Sequence, residues 1–95
     1  MPHFVVICTD KSNSLDLRMA TRPAHLEYIA LPGSPAKVGG PMLNEQDQPR
    51  GSLSIMEADS AAEIEAFVAG DPYAKAGLFE KVEILPWRIV VGGLA

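Results

Sequence analysis

The stretch Phe4-Val5-Val6-Ile7-Cys8 is an uninterrupted apolar run that is rich in β-branched residues. It is too short for a buried helix, and β-branched side chains favour strands, so residues 2–9 are predicted to form the first strand. A strand with one face in water alternates apolar and polar residues, whereas this run is apolar at every position. Both faces of the sheet that contains it therefore need to be covered.

A helix is predicted over residues 15–30, where apolar side chains recur about every 3.6 residues along one stripe. Pro23 lies inside this pattern. Because proline has no N–H and clashes with the preceding turn, we expect it to kink the helix or to break it near Thr21 or Arg22.

Two strands are predicted next, at residues 36–43 and 52–58, joined by a polar turn at residues 44–51. The first of them contains Gly39-Gly40-Pro41. Proline within a strand indicates an edge position or a bulge, and the glycines indicate a close approach to the backbone.

The second half of the chain begins with a capping box, Ser60-Ala-Ala-Glu63, which predicts the start of a helix ending at Gly70. Asp71-Pro72 starts a further short helical turn, with the aspartate as its cap. The last apolar segment, residues 79–91, predicts a strand that Pro86 bends or confines to an edge.

The predicted order, β-α-β-β-α-β, is that of the ferredoxin-like α+β fold, a four-stranded antiparallel sheet with its helices on one face. The other face would expose a contiguous apolar patch of a size uncommon in monomers. We expect a two-fold homodimer to cover it, with two sheets packed face to face. The alternative is that the 44–51 loop and the C-terminal tail fold across this face.

Composition limits the class of protein. A chain of 95 residues with 47% apolar and 21% charged residues suits one globular domain, residues 1–95, rather than a disordered chain. The net charge of −4, without a basic cluster, disfavours a nucleic-acid partner, and no apolar run is long enough to cross a membrane. No secretory leader is visible, and the single cysteine, Cys8, fits a cytoplasmic location.

Arg22 and His25 are the first candidate functional residues, since the helical wheel places Arg22 within the apolar stripe and His25 on its flank. A guanidinium there needs a carboxylate such as Asp71, a carbonyl or an anionic ligand, unless a kink at Pro23 turns it into solvent. His25 suits proton transfer if a carboxylate holds one ring nitrogen, although a lone histidine of this kind is more often structural.

Asp71 is the best candidate for the partner of His25, because it follows the second helix and the two helices lie side by side. Helix capping alone would also explain this residue. Cys8 is expected to be an inert buried thiol, and no metal-ligand spacing is present. The aromatic residues Tyr28, Tyr73 and Trp87 could line a pocket or simply fill the core.

Five segments in order resemble the YciI-like (YCII-related) family: Arg22-Pro-Ala-His25-Leu-Glu-Tyr28, Gly39-Gly40-Pro41, Gly51-Ser-Leu-Ser-Ile55, Phe67-Val-Ala-Gly-Asp71-Pro72-Tyr73 and Gly77-Leu78-Phe79. The resemblance extends to Trp87. It implies a dimeric α+β barrel, similar in fold to muconolactone isomerases and small haem-free monooxygenases. It also implies a catalytic histidine–aspartate pair, which falls on His25 and Asp71, with Arg22, Gly40 and Pro41 at other recurrent positions.

Together these observations predict a dimeric enzyme that acts on a small, anionic molecule without a metal or organic cofactor. Asp71 would orient His25, His25 would move a proton, and Arg22 would hold an anionic oxygen with Gly40 and Pro41 nearby. Isomerisation, elimination or dehalogenation would suit this set. A dimeric ligand-binding module, in which the pair only braces the cleft, is the alternative.

Overall fold

A computed structural model describes residues 1–94 as a four-stranded antiparallel sheet with three helices. The strands and helices are β1 (His3–Asp10), α1 (Leu15–Ile29), β2 (Ala36–Leu43), β3 (Pro49–Glu57), α2 (Ala61–Ala69), α3 (Pro72–Lys75) and β4 (Phe79–Trp87). The order across the sheet is β2-β3-β1-β4. This arrangement confirms the predicted ferredoxin-like βαββαβ fold. None of the helices within residues 1–94 is long and apolar enough to span a bilayer.

The first strand lies in the interior of the sheet and pairs with β3 and β4. Its side chains alternate, with Phe4, Val6 and Cys8 buried beneath the helices and Val5 and Ile7 half-buried on the opposite face. The core cluster adds residues of β3, of α2 and of the segment between them to the buried side of β1, namely Met56, Ala58, Ile64 and Val68. Burial of this apolar surface holds the helices on one face of the sheet.

The opposite sheet face, called the open face here, has no covering element within residues 1–94. By strand register it carries Val5, Ile7, Val38, Leu53, Ile55, Leu85 and Trp87. Loop residues 44–48 are exposed and hydrogen-bonded among themselves, and the tail residues Val90 and Val91 are 89% and 90% exposed. The described loop and tail therefore do not cover this face.

Three local predictions need correction. Pro23 does not break the first helix, because α1 is continuous from Leu15 to Ile29 and the proline ring lies on its exposed side. Strand β3 begins at Pro49 rather than at residue 52, since Leu43 and Met42 pair with Pro49 and Gly51. Strand β4 ends at Trp87 rather than at residue 91.

The predicted edges and caps are confirmed. Strands β2 and β4, which contain Pro41 and Pro86, both lie at sheet edges, where a missing N–H is tolerated. Ser60 caps α2 by accepting a hydrogen bond from the Glu63 amide. The Glu63 carboxylate accepts from the amide of Asp59 rather than from that of Ser60, one residue outside the predicted box.

Candidate active site

A cavity of about 510 Å³ separates α1 from the β1, β2 and β3 part of the sheet. Its wall includes all five residues proposed from the sequence, which are Arg22, His25, Gly40, Pro41 and Asp71. The cavity exists because the sheet beneath α1 carries little side-chain volume: Gly39 in β2 has no side chain, and Ser52 and Ser54 in β3 have small ones. Side chains of this size leave space under the helix that larger residues would fill.

His25 and Asp71 are brought together at the wall of this cavity. The Nδ1 atom of His25 lies 2.9 and 2.8 Å from the two carboxylate oxygens of Asp71. Asp71 is held in place as the N-cap of α3, where its Oδ1 accepts a hydrogen bond from the Tyr73 amide at 2.9 Å. The aspartate therefore has both roles considered from the sequence, since it caps a helical turn and pairs with the histidine.

The second ring nitrogen of His25 remains available. A carboxylate accepts hydrogen bonds, so the Asp71 contact places the proton on Nδ1 and leaves a lone pair on Nε2. Nε2 makes no hydrogen bond within residues 1–94, and no polar side-chain atom there is both sealed and unpartnered. Because the His25 side chain is 17% exposed and lines the cavity, Nε2 can meet a molecule that enters it.

The imidazole is also held by an aromatic stack. The ring of Tyr73 lies 4.0 Å from that of His25, at an angle of 16° between the planes. Phe79 in turn packs edge-on against Tyr73, with ring centroids 6.0 Å apart. The carboxylate and the stack together restrict the orientation of His25 before any ligand binds.

A second charged group lies beside this stack, and the sequence reasoning missed it. Arg18 is 4% exposed; its guanidinium donates from one nitrogen to both Asp10 oxygens at 3.0 Å and from another to the Ser52 hydroxyl at 2.6 Å. The same guanidinium lies 4.7 Å from the centre of the Tyr73 ring, a cation–π distance. Burial raises the pKa of the Asp10 carboxyl, and the neighbouring Arg18 opposes that rise.

A sequence signal for this pair was available. Arg18 precedes Arg22 by four residues and so shares its face of the helix, while Asp10 ends the first strand. The wheel assigned the core-facing position to Arg22, but the structure buries Arg18 and leaves Arg22 exposed at the cavity. The suggested Arg22–Asp71 pair is therefore wrong, since Asp71 bonds His25 instead.

The glycine pair differs in what each member faces. A Cβ at Gly39 would lie 2.8 Å from that of Ser54, so the neighbouring strand requires glycine there. A Cβ at Gly40 would meet no atom within 4 Å. Gly40 pairs with Leu53, so this empty space lies on the open face, while the Gly40 backbone and Pro41 form part of the cavity wall.

Cys8 also lines the cavity, but its thiol is a poor nucleophile. Burial, with the nearby Asp71 and Asp10 carboxylates, raises the pKa of Cys8 from 9.0 to about 12. The thiol therefore stays protonated at neutral pH, which confirms the prediction of an inert buried cysteine. Cys8 therefore offers no thiolate to a molecule in the cavity at neutral pH.

The fold of this protein is similar to the folds of known proteins. The fold matches a 5-chloro-2-hydroxyhydroquinone dehydrochlorinase from Burkholderia phenoliruptrix AC1100, solved with 2,5-dihydroxybenzoquinone, with a TM-score of 0.82 and 35% identity over 90% of this chain and 93% of that chain. It also matches a dimeric ferredoxin-like protein of unknown function from Jannaschia sp. CCS1, with a TM-score of 0.51 and 14% identity over 94% of this chain and all of that chain.

Sequence relatives agree with the structural match. Protein YciI of Escherichia coli O6:H1 is 33% identical over 95 aligned residues, covering 92% of this chain and 97% of that protein. The profile of the YCII-related domain matches residues 2–88, which include both His25 and Asp71. The chain therefore belongs to the YCII-related (YciI-like) family.

Proposed function

We propose that this protein is a small-molecule enzyme in which His25 transfers a proton and Asp71 orients its ring. The observation that supports the proposal most directly is that the two ring nitrogens of His25 differ in their contacts. Nδ1 is bonded to Asp71 at 2.8–2.9 Å, while Nε2 is free at the wall of a cavity of about 510 Å³. A histidine that only braced the fold would be expected to use or bury both nitrogens.

The proposed chemical step begins with Nε2 of His25 as a general base. It takes a proton from a carbon or oxygen of the substrate, and the Asp71 carboxylate stabilises the imidazolium that forms. Returning the proton to another substrate atom completes an isomerisation. Alternatively, the electron pair of the broken C–H bond forms a new double bond while a halide leaves, and the imidazolium of His25 then releases its proton to solvent, which completes an elimination. The second outcome fits the dehydrochlorinase named among the structural matches.

The charges around the cavity favour an anionic substrate. Arg22 and Lys37 line it without a salt-bridge partner within residues 1–94, whereas the Asp71 and Arg18 charges are already paired. Arg22 is accordingly proposed to hold an anionic oxygen, with Gly40 and Pro41 as the adjacent wall. Side chains alone supply this chemistry, so the proposal requires no metal or organic cofactor. The single buried cysteine fits a protein of the reducing cytoplasm.

The test is turnover of 5-chloro-2-hydroxyhydroquinone, followed as released chloride, and of a panel of small lactones. His25→Ala should lower turnover of the accepted substrate by about 10²–10⁴-fold, because the proton acceptor is lost. His3→Ala is the matched control, since His3 pairs with Glu57 at 3.0 Å outside the cavity and should retain full turnover.

Two results would contradict the catalytic proposal. The first is a folded His25→Ala variant that turns substrate over at the wild-type rate. The second is tight binding of 2,5-dihydroxybenzoquinone without turnover of any compound in the panel, which would favour the ligand-binding module instead. Circular dichroism of each variant separates loss of activity from loss of fold.

We further propose that two copies of the chain pack through their open faces into a dimeric α+β barrel. Leu85 and Trp87, 47% and 42% exposed, are among the apolar residues that this contact would cover. Leu85→Lys should shift the sedimentation coefficient to that of a monomer. Val82→Lys is the matched control, because Val82 is 42% exposed on the other face of the same strand and should remain dimeric. A monomeric wild type would overturn the proposal.

A further inference from the structure

Tyr73 belongs to the cavity wall, yet nothing in the fold accounts for its hydroxyl. The residue is 1% exposed and lines the cavity. Its ring is used in packing, and its amide is used in the Asp71 cap, but its hydroxyl makes no hydrogen bond within residues 1–94. A phenylalanine would serve the packing equally well. Packing therefore does not explain the presence of the hydroxyl group at this position.

The direction of this hydroxyl follows from its exposure. No polar side-chain atom within residues 1–94 is both sealed from solvent and unpartnered. At least part of the small remaining exposure of Tyr73 then lies at its oxygen, and the residue lines the cavity. An unpaired hydroxyl on a side chain this deeply buried marks a position where a ligand atom would complete the hydrogen bonding.

The hydroxyl is held rigidly and remains protonated. Arg18 lies 4.7 Å from the ring centre, His25 stacks at 4.0 Å and Phe79 packs edge-on, so the ring has little freedom to rotate. Burial raises the pKa of Tyr73 above its usual 10.0, although Arg18 and Arg22 oppose the rise. At neutral pH the group is a hydrogen-bond donor in a fixed position.

We propose that Tyr73 is a substrate-contacting residue whose hydroxyl donates a hydrogen bond to a substrate oxygen that becomes an enolate or phenolate. The inference rests on the proposed function and specifies its substrate class. Nε2 of His25 takes a proton from a substrate carbon next to a carbonyl group. The electron pair of that C–H bond then forms a carbon–carbon double bond, and the carbonyl oxygen becomes negatively charged. Tyr73 stabilises that oxygen without changing its own bonds.

Because Tyr73 and His25 are neighbours, the Tyr73 hydroxyl and the His25 base can act on the same substrate molecule. The Tyr73 and His25 rings are stacked almost in parallel, and both residues line the same cavity. A single small enol, phenol or hydroxyquinone can then contact both groups. Simple carboxylic acids form no enolate under these conditions, so they would not develop the oxyanion that Tyr73 is proposed to stabilise.

The experiment is calorimetric titration of wild type, Tyr73→Phe and Tyr28→Phe with 2,5-dihydroxybenzoquinone, whose ionised oxygens represent the proposed oxyanion. Tyr73→Phe keeps the ring stack and removes one oxygen, and it should weaken binding at least tenfold. Tyr28→Phe also loses a hydroxyl, one that donates to the Phe67 carbonyl at 2.8 Å outside the cavity, and it should bind as wild type does.

The outcomes separate this inference from the proposed function. Equal affinity of Tyr73→Phe and wild type overturns the role of Tyr73, while the His25-dependent turnover can still stand. Failure of wild type to bind the quinone overturns the substrate class assigned here, and the turnover panel then judges His25 independently. Equal weakening in Tyr73→Phe and Tyr28→Phe would show a general structural effect and would also overturn the inference.

Discussion

Two acid–base pairs each place their basic residue against the Tyr73 ring, and they differ in which polar atoms remain free. In the Arg18–Asp10 pair the side chains are 5% and 6% exposed, and the guanidinium donates to Asp10 and to the Ser52 hydroxyl. In the His25–Asp71 pair the side chains are 17% and 10% exposed, and only one imidazole nitrogen is bonded. Both basic residues come from α1.

The difference indicates how one helix can supply both structure and a reactive group. A buried guanidinium never loses its proton, so it is tolerated only when a carboxylate and further acceptors surround it. An imidazole exchanges protons near neutral pH and can act on a ligand if one nitrogen stays open. We therefore interpret Arg18–Asp10 as support for the site and His25–Asp71 as its reactive part.

Removing the carboxylate of the Arg18–Asp10 pair should have the largest effect on the free energy of unfolding. Asp10→Ala leaves the Arg18 charge buried with only the Ser52 contact, and we expect a loss of about 3–5 kcal/mol in the free energy of unfolding, measured in urea. Asp16→Ala is the control, because Asp16 is an exposed acid in the first turn of α1 and should cost well under half as much. Equal losses would refute the assignment of Asp10 as a buried partner.

Removing the charge of Asp71 from the His25–Asp71 pair should lower activity rather than stability. Asp71→Asn retains an oxygen that can cap α3 but loses the charge that supports an imidazolium, so turnover should fall by about 10²-fold with the midpoint of unfolding little changed. Ser60→Ala removes a capping oxygen from α2, away from the cavity, and should leave turnover unaltered. A folded variant that is fully active would mean that Asp71 serves the fold alone.

Removing the Ser52 hydroxyl, which accepts a hydrogen bond from Arg18, should have a smaller effect on the free energy of unfolding. Ser52→Ala removes the 2.6 Å acceptor of Arg18, and we expect a loss of about 1.5 kcal/mol, the lower end for a hydrogen bond to a charged group. Ser54→Ala is matched in size and lines the same cavity without a hydrogen bond to Arg18. If both variants unfold at the same urea concentration, the Ser52 contact contributes nothing.

The pH dependence of stability should show the smallest effect. The folded protein holds the Cys8 proton with a pKa of about 12, while the unfolded chain releases it near 9.0. Unfolding therefore releases a proton above pH 9, and stability should fall there, by on the order of 1 kcal/mol at pH 10. Cys8→Ala should lack this part of the decline, which urea unfolding at pH 8 and pH 10 would measure. Parallel declines would show that Cys8 ionises as freely in the fold as outside it.

Much of the fold was predictable because it depends on local patterns. The apolar run in β1, the Ser60 cap of α2 and the Asp71-Pro72 turn each specify their conformation through neighbouring residues. For Pro23 a kink or a break was predicted, and the break does not occur, because the rest of α1 and its packing against α3 outweigh the intrinsic cost of proline inside a helix.

The candidate site was predictable only in part. Topology suggested that His25 and Asp71 would lie near each other, and the structure places them in hydrogen-bond contact. The wheel selected Arg22 rather than Arg18 as the core-facing arginine, since residues four apart share a helix face and only the position of Asp10 identifies Arg18 as the buried one. The stack of Tyr73 on His25 has no local signal at all.

By itself, the order of residues determined the ferredoxin-like topology, the edge strands and the identity of the histidine–aspartate pair, since these follow from periodicity, capping and chain order. Only the tertiary structure decided which arginine is buried, which imidazole nitrogen stays open and where the Tyr73 hydroxyl is left without a partner. Those properties depend on distances between residues remote in the chain, and burial changes the energy of a charge or a hydrogen bond only after such residues have packed together.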